Sequence, residues 1–118
     1  MIKTAILCLA LTVYHESRGE PQAGQYAVAE VVMNRSTERN LEVCDVVYEK
    51  NQFSWVQQQR GKKIPQDKNF DEAITIANDV LYNPGEYNYA RGATFFKHKR
   101  LKNKKNHYLT IGNHVFYK

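Results

Sequence analysis

The sequence predicts an α+β fold, mostly α, with one small β-hairpin at its C-terminal end. Apolar residues recur at helical spacing over 2–17, 21–35 and 70–82. The last stretch, "HYLTIGNHVFYK", alternates about a Gly112-Asn113 pair, the signature of a two-residue hairpin turn. The 118 residues, 42% apolar and 12% aromatic, suit one compact globular domain spanning 1–118, with no internal repeat.

The opening "MIKTAILCLALTVYHE" imitates a secretory leader, with Lys3 before ten largely apolar residues. It is shorter than the roughly 20 apolar residues of a membrane span. Val13, Tyr14 and His15 are poor cleavage positions. The reading is a helix, buried on most sides and ending near Ser17. Gly19 stops it, and Glu20, preceding Pro21, is kept out of helical geometry. Pro21 suits the first turn of a second helix that runs to about Arg35, with Ala27, Val28, Val31 and Val32 on one face. There Asn34-Arg35 reads, taken alone, as a C-cap and a solvated arginine.

Val43–Glu49 is a short helix with Cys44, Val47 and Tyr48 inward. "NQFSW", 51–55, breaks the helical period and reads as strand or loop. The polar stretch 57–69, with Gly61 and Pro65, reads as a surface loop. "FDEAITIANDVLY", 70–82, is an amphipathic helix through Phe70, Ile74, Ala77 and Leu81, ended by "NPG". "ATFF", 93–96, is a short strand. The final hairpin pairs Ile111 with His114 and Leu109 with Phe116.

Two cysteines make no disulfide framework, and no cysteine or histidine cluster has zinc-ligand spacing. Buried free thiols are the expected state of Cys8 and Cys44, with a single bridge as the alternative. No metal and no cofactor are implied. The net charge of +5 is concentrated in one place. Residues 97–105, "KHKRLKNKK", hold six of the 17 Lys and Arg residues and no acid, leaving 11 basic against 12 acidic residues elsewhere. One cationic loop on a near-neutral chain is not the broad basic face of a nucleic-acid binder.

The residues with chemical potential begin with "YHESRGEPQAGQ", where Glu16 and Glu20 stand one helical turn apart. The helix stop between them breaks any shared face. Glu16 then lies in the last turn of a buried helix. Burial and the negative end of the helix dipole both favour its protonated form, which a general acid needs. The alternative is a surface Glu16 paired with Arg18. Gln52, Ser54 and Trp55 suit sugar recognition, although Trp55 is equally a core residue. His98 and His114 adjoin strands beside Phe96 and Phe116.

Taken together, "YHESRGEPQAGQYAVAEVVMNR" (14–35), "VCDVVYEKNQFSW" (43–55), "GATFF" with His98 (92–98) and "IGNHVFYK" (111–118) resemble the SleB-type cell-wall hydrolase family. That family is known from spore-cortex-lytic enzymes and bacteriophage lysis proteins. The resemblance implies a lysozyme-like catalytic fold that cuts the glycan strands of peptidoglycan. It implies Glu16 as the catalytic acid, as in the similar Glu-Ser pair of goose-type lysozymes and lytic transglycosylases. Gln52, Phe53 and Ser54 fall where the family lines its sugar groove, with His98 and His114 nearby, and Trp55 and Phe96 complete the expected substrate-binding set. Glu20, Asn34, Arg35 and Tyr117 fall in its structural motifs, Glu20 either capping the second helix or holding Arg18. Two departures stand out: His15 replaces a common glycine, and loop 97–105 is unusually long and charged.

No second carboxylate stands out for activating water, since Asp45, Glu49 and Asp71 read as helix-surface or capping residues. The expected reaction is therefore a lytic transglycosylase cut between N-acetylmuramic acid and N-acetylglucosamine, in the setting of a phage-type endolysin. A hydrolytic muramidase, a non-catalytic peptidoglycan-binding module and a small nucleic-acid binder are the rivals. The expected partners are glycan strands, with anionic wall polymers or outer-membrane phosphates meeting loop 97–105. Nucleic acid and a stable membrane anchor are not expected. The protein is expected to be made in a bacterial cytoplasm and to act on the wall as a monomer.

Overall fold

The structure, a computed structural model, describes residues 4–49, 52–101 and 109–118. Among the described residues, five α-helices precede a three-stranded antiparallel sheet: α1 (Ala5–Ser17), α2 (Gln22–Arg39), α3 (Val43–Val47), α4 (Trp55–Gln59), α5 (Lys68–Tyr82), β1 (Phe95–His98), β2 (Leu109–Ile111) and β3 (His114–Tyr117). The strand order is β1-β3-β2.

Helix α1 is the centre of the helical layer. Residues Cys8 to Val13 are all fully buried. Six consecutive residues can be hidden only when a helix is covered all round. α2 and α5 flank it, and Thr4 caps its start by accepting from the Leu7 N–H. α5 contributes Phe70, Ala73, Ile76, Ala77 and Val80 to this core. Asp67 caps α5 and also accepts from the Tyr14 hydroxyl at 2.6 Å, tying α1 to α5.

α2 lies between two cores. Tyr26, Ala29 and Val32 face the helical core. Ala27, Val28 and Val31 face a second cluster with Ala90, Ala93 and Phe116 beneath the sheet. The expected single face thus splits in two, with Val32 on the helical side. β2 pairs with β3 as the turn chemistry predicts, Ile111 opposite His114 and Leu109 opposite Phe116. β1 adds the third strand, and it spans 95–98 rather than 93–96.

Several expectations are corrected. Cys8 and Cys44 form a disulfide that joins α1 to α3, not two free thiols. Their Cα atoms are 5.4 Å apart, inside bridging range, a proximity set by helix packing across 36 residues of chain. Residues 52–54 of the stretch read as strand or loop are turn and loop, but Trp55 begins α4, which also takes the start of the polar stretch 57–69. One helical turn is too short to show a period, yet Trp55 and Gln59, four apart, are both buried. α2 runs four residues past Arg35. Asn40 takes the C-cap in left-handed geometry at φ 55°, which asparagine tolerates. α3 ends at Val47, two residues early. The first helix is described from Ala5; residues 1–3, 50, 51 and 102–108, with part of the expected cationic loop, lie outside the described residues. Among the described residues, no helix is long and apolar enough to cross a membrane.

Candidate active site

Helix α1 ends because Arg18 leaves helical geometry at ψ 140° and Gly19 follows at φ +83°. Ser17 is buried, its hydroxyl bonded back to the Val13 carbonyl at 2.8 Å. Glu16 therefore sits in the last turn of a helix whose interior is fixed. Burial raises its pKa above the ordinary glutamate value. Glu16 has no hydrogen-bond or ion-pair partner among the described residues. The expected alternative, pairing with Arg18, is not what the chain does. Arg18 lies 4.6 Å over the Tyr14 ring and donates to the Tyr14 carbonyl.

Glu20 has the opposite surroundings. Its two carboxylate oxygens accept from the Asn113 backbone N–H at 2.8 Å and the Asn113 side-chain amide at 2.9 Å. It neither caps α2, whose start has no side-chain cap, nor holds Arg18. It clamps the hairpin turn instead. Gly112 shows how close the approach is: a Cβ there would stand 2.5 Å from Glu20 Oε1 and 2.8 Å from Pro21. Burial pushes the Glu20 pKa up, but the two Asn113 bonds and the nearby His114 and His98 outweigh it, and the net shift is downward. His114 is held below its ordinary pKa by burial, with Glu20 4.0 Å away opposing the shift.

The other expected site residues fall into two groups. In the first, Phe96 stands edge-on to His114 at 5.4 Å and near-parallel to Phe53 at 6.3 Å, while β1 pairs His98 with His114. Gln52 joins through Arg35, whose Nη1 donates to Gln52 Oε1 at 3.0 Å. Arg35 is buried rather than solvated: its Nε donates to the Thr94 carbonyl and its guanidinium lies over Phe53 and Phe95. Asn34 donates to the Ala93 carbonyl at 2.9 Å. Asn34-Arg35 is thus a strut between α2 and the segment leading into β1, not a helix end. Tyr117 is the last residue of the central strand β3, stacked on Phe95 with Lys97 over its ring. Ser54 is exposed at the start of α4.

In the second group, Trp55 is 3% exposed, which leaves no open face for a sugar. It stacks on His15 at 5.0 Å and 12°. His15 Nε2 donates to Gln59 Oε1 at 2.9 Å, a tautomer fixed because the Gln59 amide nitrogen donates to the Lys63 carbonyl. Burial lowers the His15 pKa, more than the Gln59 bond raises it. The chain runs from this group at His15, through Glu16, to the first group at Glu20.

Sequence reasoning missed Gln59, which nothing local marks, the bonds of the turn residue Asn113 to Glu20, and Glu30. Glu30 is buried with its pKa raised by burial, yet its carboxylate accepts from the Ala90 N–H at 2.7 Å and anchors the chain before β1. Asp45 and Asp71 are exposed, and Glu49 is ion-paired with Arg39 at 2.6 Å. Among the described residues no cluster of His, Cys, Asp and Glu has the makings of a metal site.

A family model described as Cell Wall Hydrolase matches residues 19–117. The chain belongs to the cell-wall hydrolase family. The matched segment begins three residues after Glu16, so it takes in the Glu20 clamp, the strut and the sheet but not Glu16 itself. Two solved structures extend the likeness over α1. The catalytic domain of the germination-specific lytic transglycosylase SleB from Bacillus anthracis is 26% identical, with TM-score 0.80, covering 100% of this chain and 97% of that one. The catalytic domain of the Bacillus cereus SleB protein is also 26% identical, with TM-score 0.73, covering 97% and 89%. No curated protein matches the chain. This cell-wall hydrolase therefore has the mostly helical, lysozyme-like fold of the SleB catalytic domains, with the small sheet at its C-terminal end.

Proposed function

We propose that this hydrolase cleaves the β-1,4 bond between N-acetylmuramic acid and N-acetylglucosamine in peptidoglycan, with Glu16 as the only proton shuttle. The observation that carries the reading is the state of Glu16: a carboxyl at the end of a buried helix, its pKa raised by burial, with no partner among the described residues. Such a group is protonated closer to neutral pH than an exposed carboxylate and free to transfer its proton. Glu16 protonates the leaving glycosidic oxygen as the C1–O bond breaks. The resulting carboxylate takes the proton of the muramic acid 6-hydroxyl as O6 bonds to C1. The proton count closes on Glu16, no water is consumed, and a 1,6-anhydro end forms.

Intramolecular attack is favoured because the attacking hydroxyl is already on the reacting ring, an advantage worth effective molarities of about 10⁵ M or more when well oriented. The other carboxylates near the chain's functional motifs are engaged: Glu20 by Asn113 and Glu30 by Ala90. The lytic transglycosylase named among the solved structures supports the same chemistry. The biological setting proposed with it is a phage-type endolysin, following the resemblance of the motifs to bacteriophage lysis proteins. Segment 97–105 then supplies attraction to anionic walls. Changing Lys102, Lys104 and Lys105 to Gln should weaken wall binding most at low salt, where screening is least; an equal loss at high salt contradicts that role.

Mass spectrometry of fragments released from purified walls tests the product. They should end in 1,6-anhydromuramic acid, one water lighter than hydrolytic ends and resistant to borohydride. Ends that take up borohydride and carry the extra water identify a hydrolytic muramidase.

A further inference from the structure

The reaction proposed above leaves unused a cavity of about 580 Å³ beside the Glu16 end of α1. One residue before Glu16, His15 stacks on Trp55 and bonds to Gln59, and both of these line the cavity. Its floor is apolar, from Val56 and Ile64, with the almost fully buried Trp55 also in the lining. Its rim carries Arg60, Lys62 and Lys63, and among the described residues no acidic one lines it. None of these three cationic side chains has a partner among the described residues.

The rim is held in place. The Gln59 amide donates to the Lys63 carbonyl at 3.1 Å, the Lys62 N–H donates to the Gln59 carbonyl at 2.9 Å, and Gly61 makes the turn at φ +76°. Three unpaired cations on a fixed turn over an apolar floor, in a cavity of ligand size, fit a ligand with a small apolar body and carboxylates. The sugars of a glycan strand are neutral once the lactyl group carries its peptide. The stem peptide itself has small apolar side chains and free carboxylates.

We propose that this cavity binds the anionic stem peptide of a muramic acid next to the cut, directing cleavage to peptide-substituted strands. The proposal rests on the glycan-cleaving reading above. It assigns a job to His15 and Gln59 as well: they fix the cationic turn to the helix that carries Glu16.

Calorimetry on the Glu16→Gln protein separates binding from cleavage. Three probes are compared: soluble glycan fragments with stem peptides, the same fragments stripped by an amidase, and fragments whose peptide carboxylates are amidated. The peptide-bearing fragments should bind on the order of tenfold more tightly than the other two, what two or three screened charge contacts supply. Changing Arg60, Lys62 and Lys63 to Gln should remove that advantage and leave binding of stripped fragments unchanged. Equal affinity for all three probes overturns the proposal. So does a triple variant that weakens all three equally, or one whose only loss is of phosphate-bearing wall polymer. Kinetics of the native enzyme keep the two readings apart. No new glycan ends on any substrate defeats the glycan-cleaving reading. Equal kcat/KM on peptide-bearing and stripped strands defeats only the stem-peptide site.

Discussion

At the end of α1 the chain carries Glu16 into a half-buried position where, among the described residues, no donor meets its carboxylate. Four residues on, in the connection to α2, Glu20 receives two donors from Asn113 across the hairpin turn. The residue type is the same and the spacing is one helical turn, yet the two pKa values move in opposite directions. What separates them is the supply of hydrogen-bond donors. Burial raises both, and only Glu20 has donors enough to reverse it. Glu30 is the useful third case: burial raises it too, but its carboxylate is committed to a backbone N–H. A raised pKa alone therefore does not mark the acid; a raised pKa with a free carboxyl does.

The sharpest way to break this contrast is Glu16→Gln, which keeps shape and removes the proton. Wall clearing should fall roughly 10²–10⁴-fold with an unchanged circular dichroism spectrum. A folded variant with more than a third of native activity removes Glu16 from the mechanism. The same substitution should stabilise the protein at neutral pH. The native fold holds the Glu16 proton more tightly than the unfolded chain, so the Glu16 charge costs stability increasingly as pH rises from 4.5 through the folded value. The gain in the variant should vanish below that window.

Gly112→Ala comes next. It places a methyl against Glu20 Oε1 and Pro21 at a backbone angle of φ +57°. The left-handed geometry alone costs about 1–2 kcal/mol, and the collision adds to it, so the melting temperature should drop while Glu16 keeps its raised pKa. A variant of native stability contradicts the clamp.

The smallest effect is expected from Glu20→Gln, a loss of about 1 kcal/mol or less for a partly exposed, charge-assisted pair. Its signature is pH dependence. A depressed carboxyl contributes stability above its unfolded value of 4.5 and loses it as pH falls through the folded value. The native protein should show that acid-side loss and the variant should lack it. Lost activity at unchanged melting temperature contradicts the structural role.

How far these sites could be read from sequence depended on the range of the signal. The helix stop at Gly19, the Gly112-Asn113 turn and its register are local chemistry, and the structure has them where the residues place them. The split of α2 between two cores, the burial of Arg35 under β1 and the Cys8–Cys44 bridge depend on partners far along the chain. Residue type gave no hint of the first two and left the bridge only as the alternative to free thiols. Glu16 was legible as the end of an apolar helix. The donors that disarm Glu20 were not, because Asn113 lies 93 residues away.

One titration measures both halves of the contrast. Carbon-13 NMR of selectively labelled glutamate carboxyls, followed with pH, gives the pKa of Glu16 and Glu20 in the same sample. Glu16 should titrate above the ordinary value of 4.5 and Glu20 below it. Glu16 at or below 4.5, or the two values in reverse order, contradicts the account.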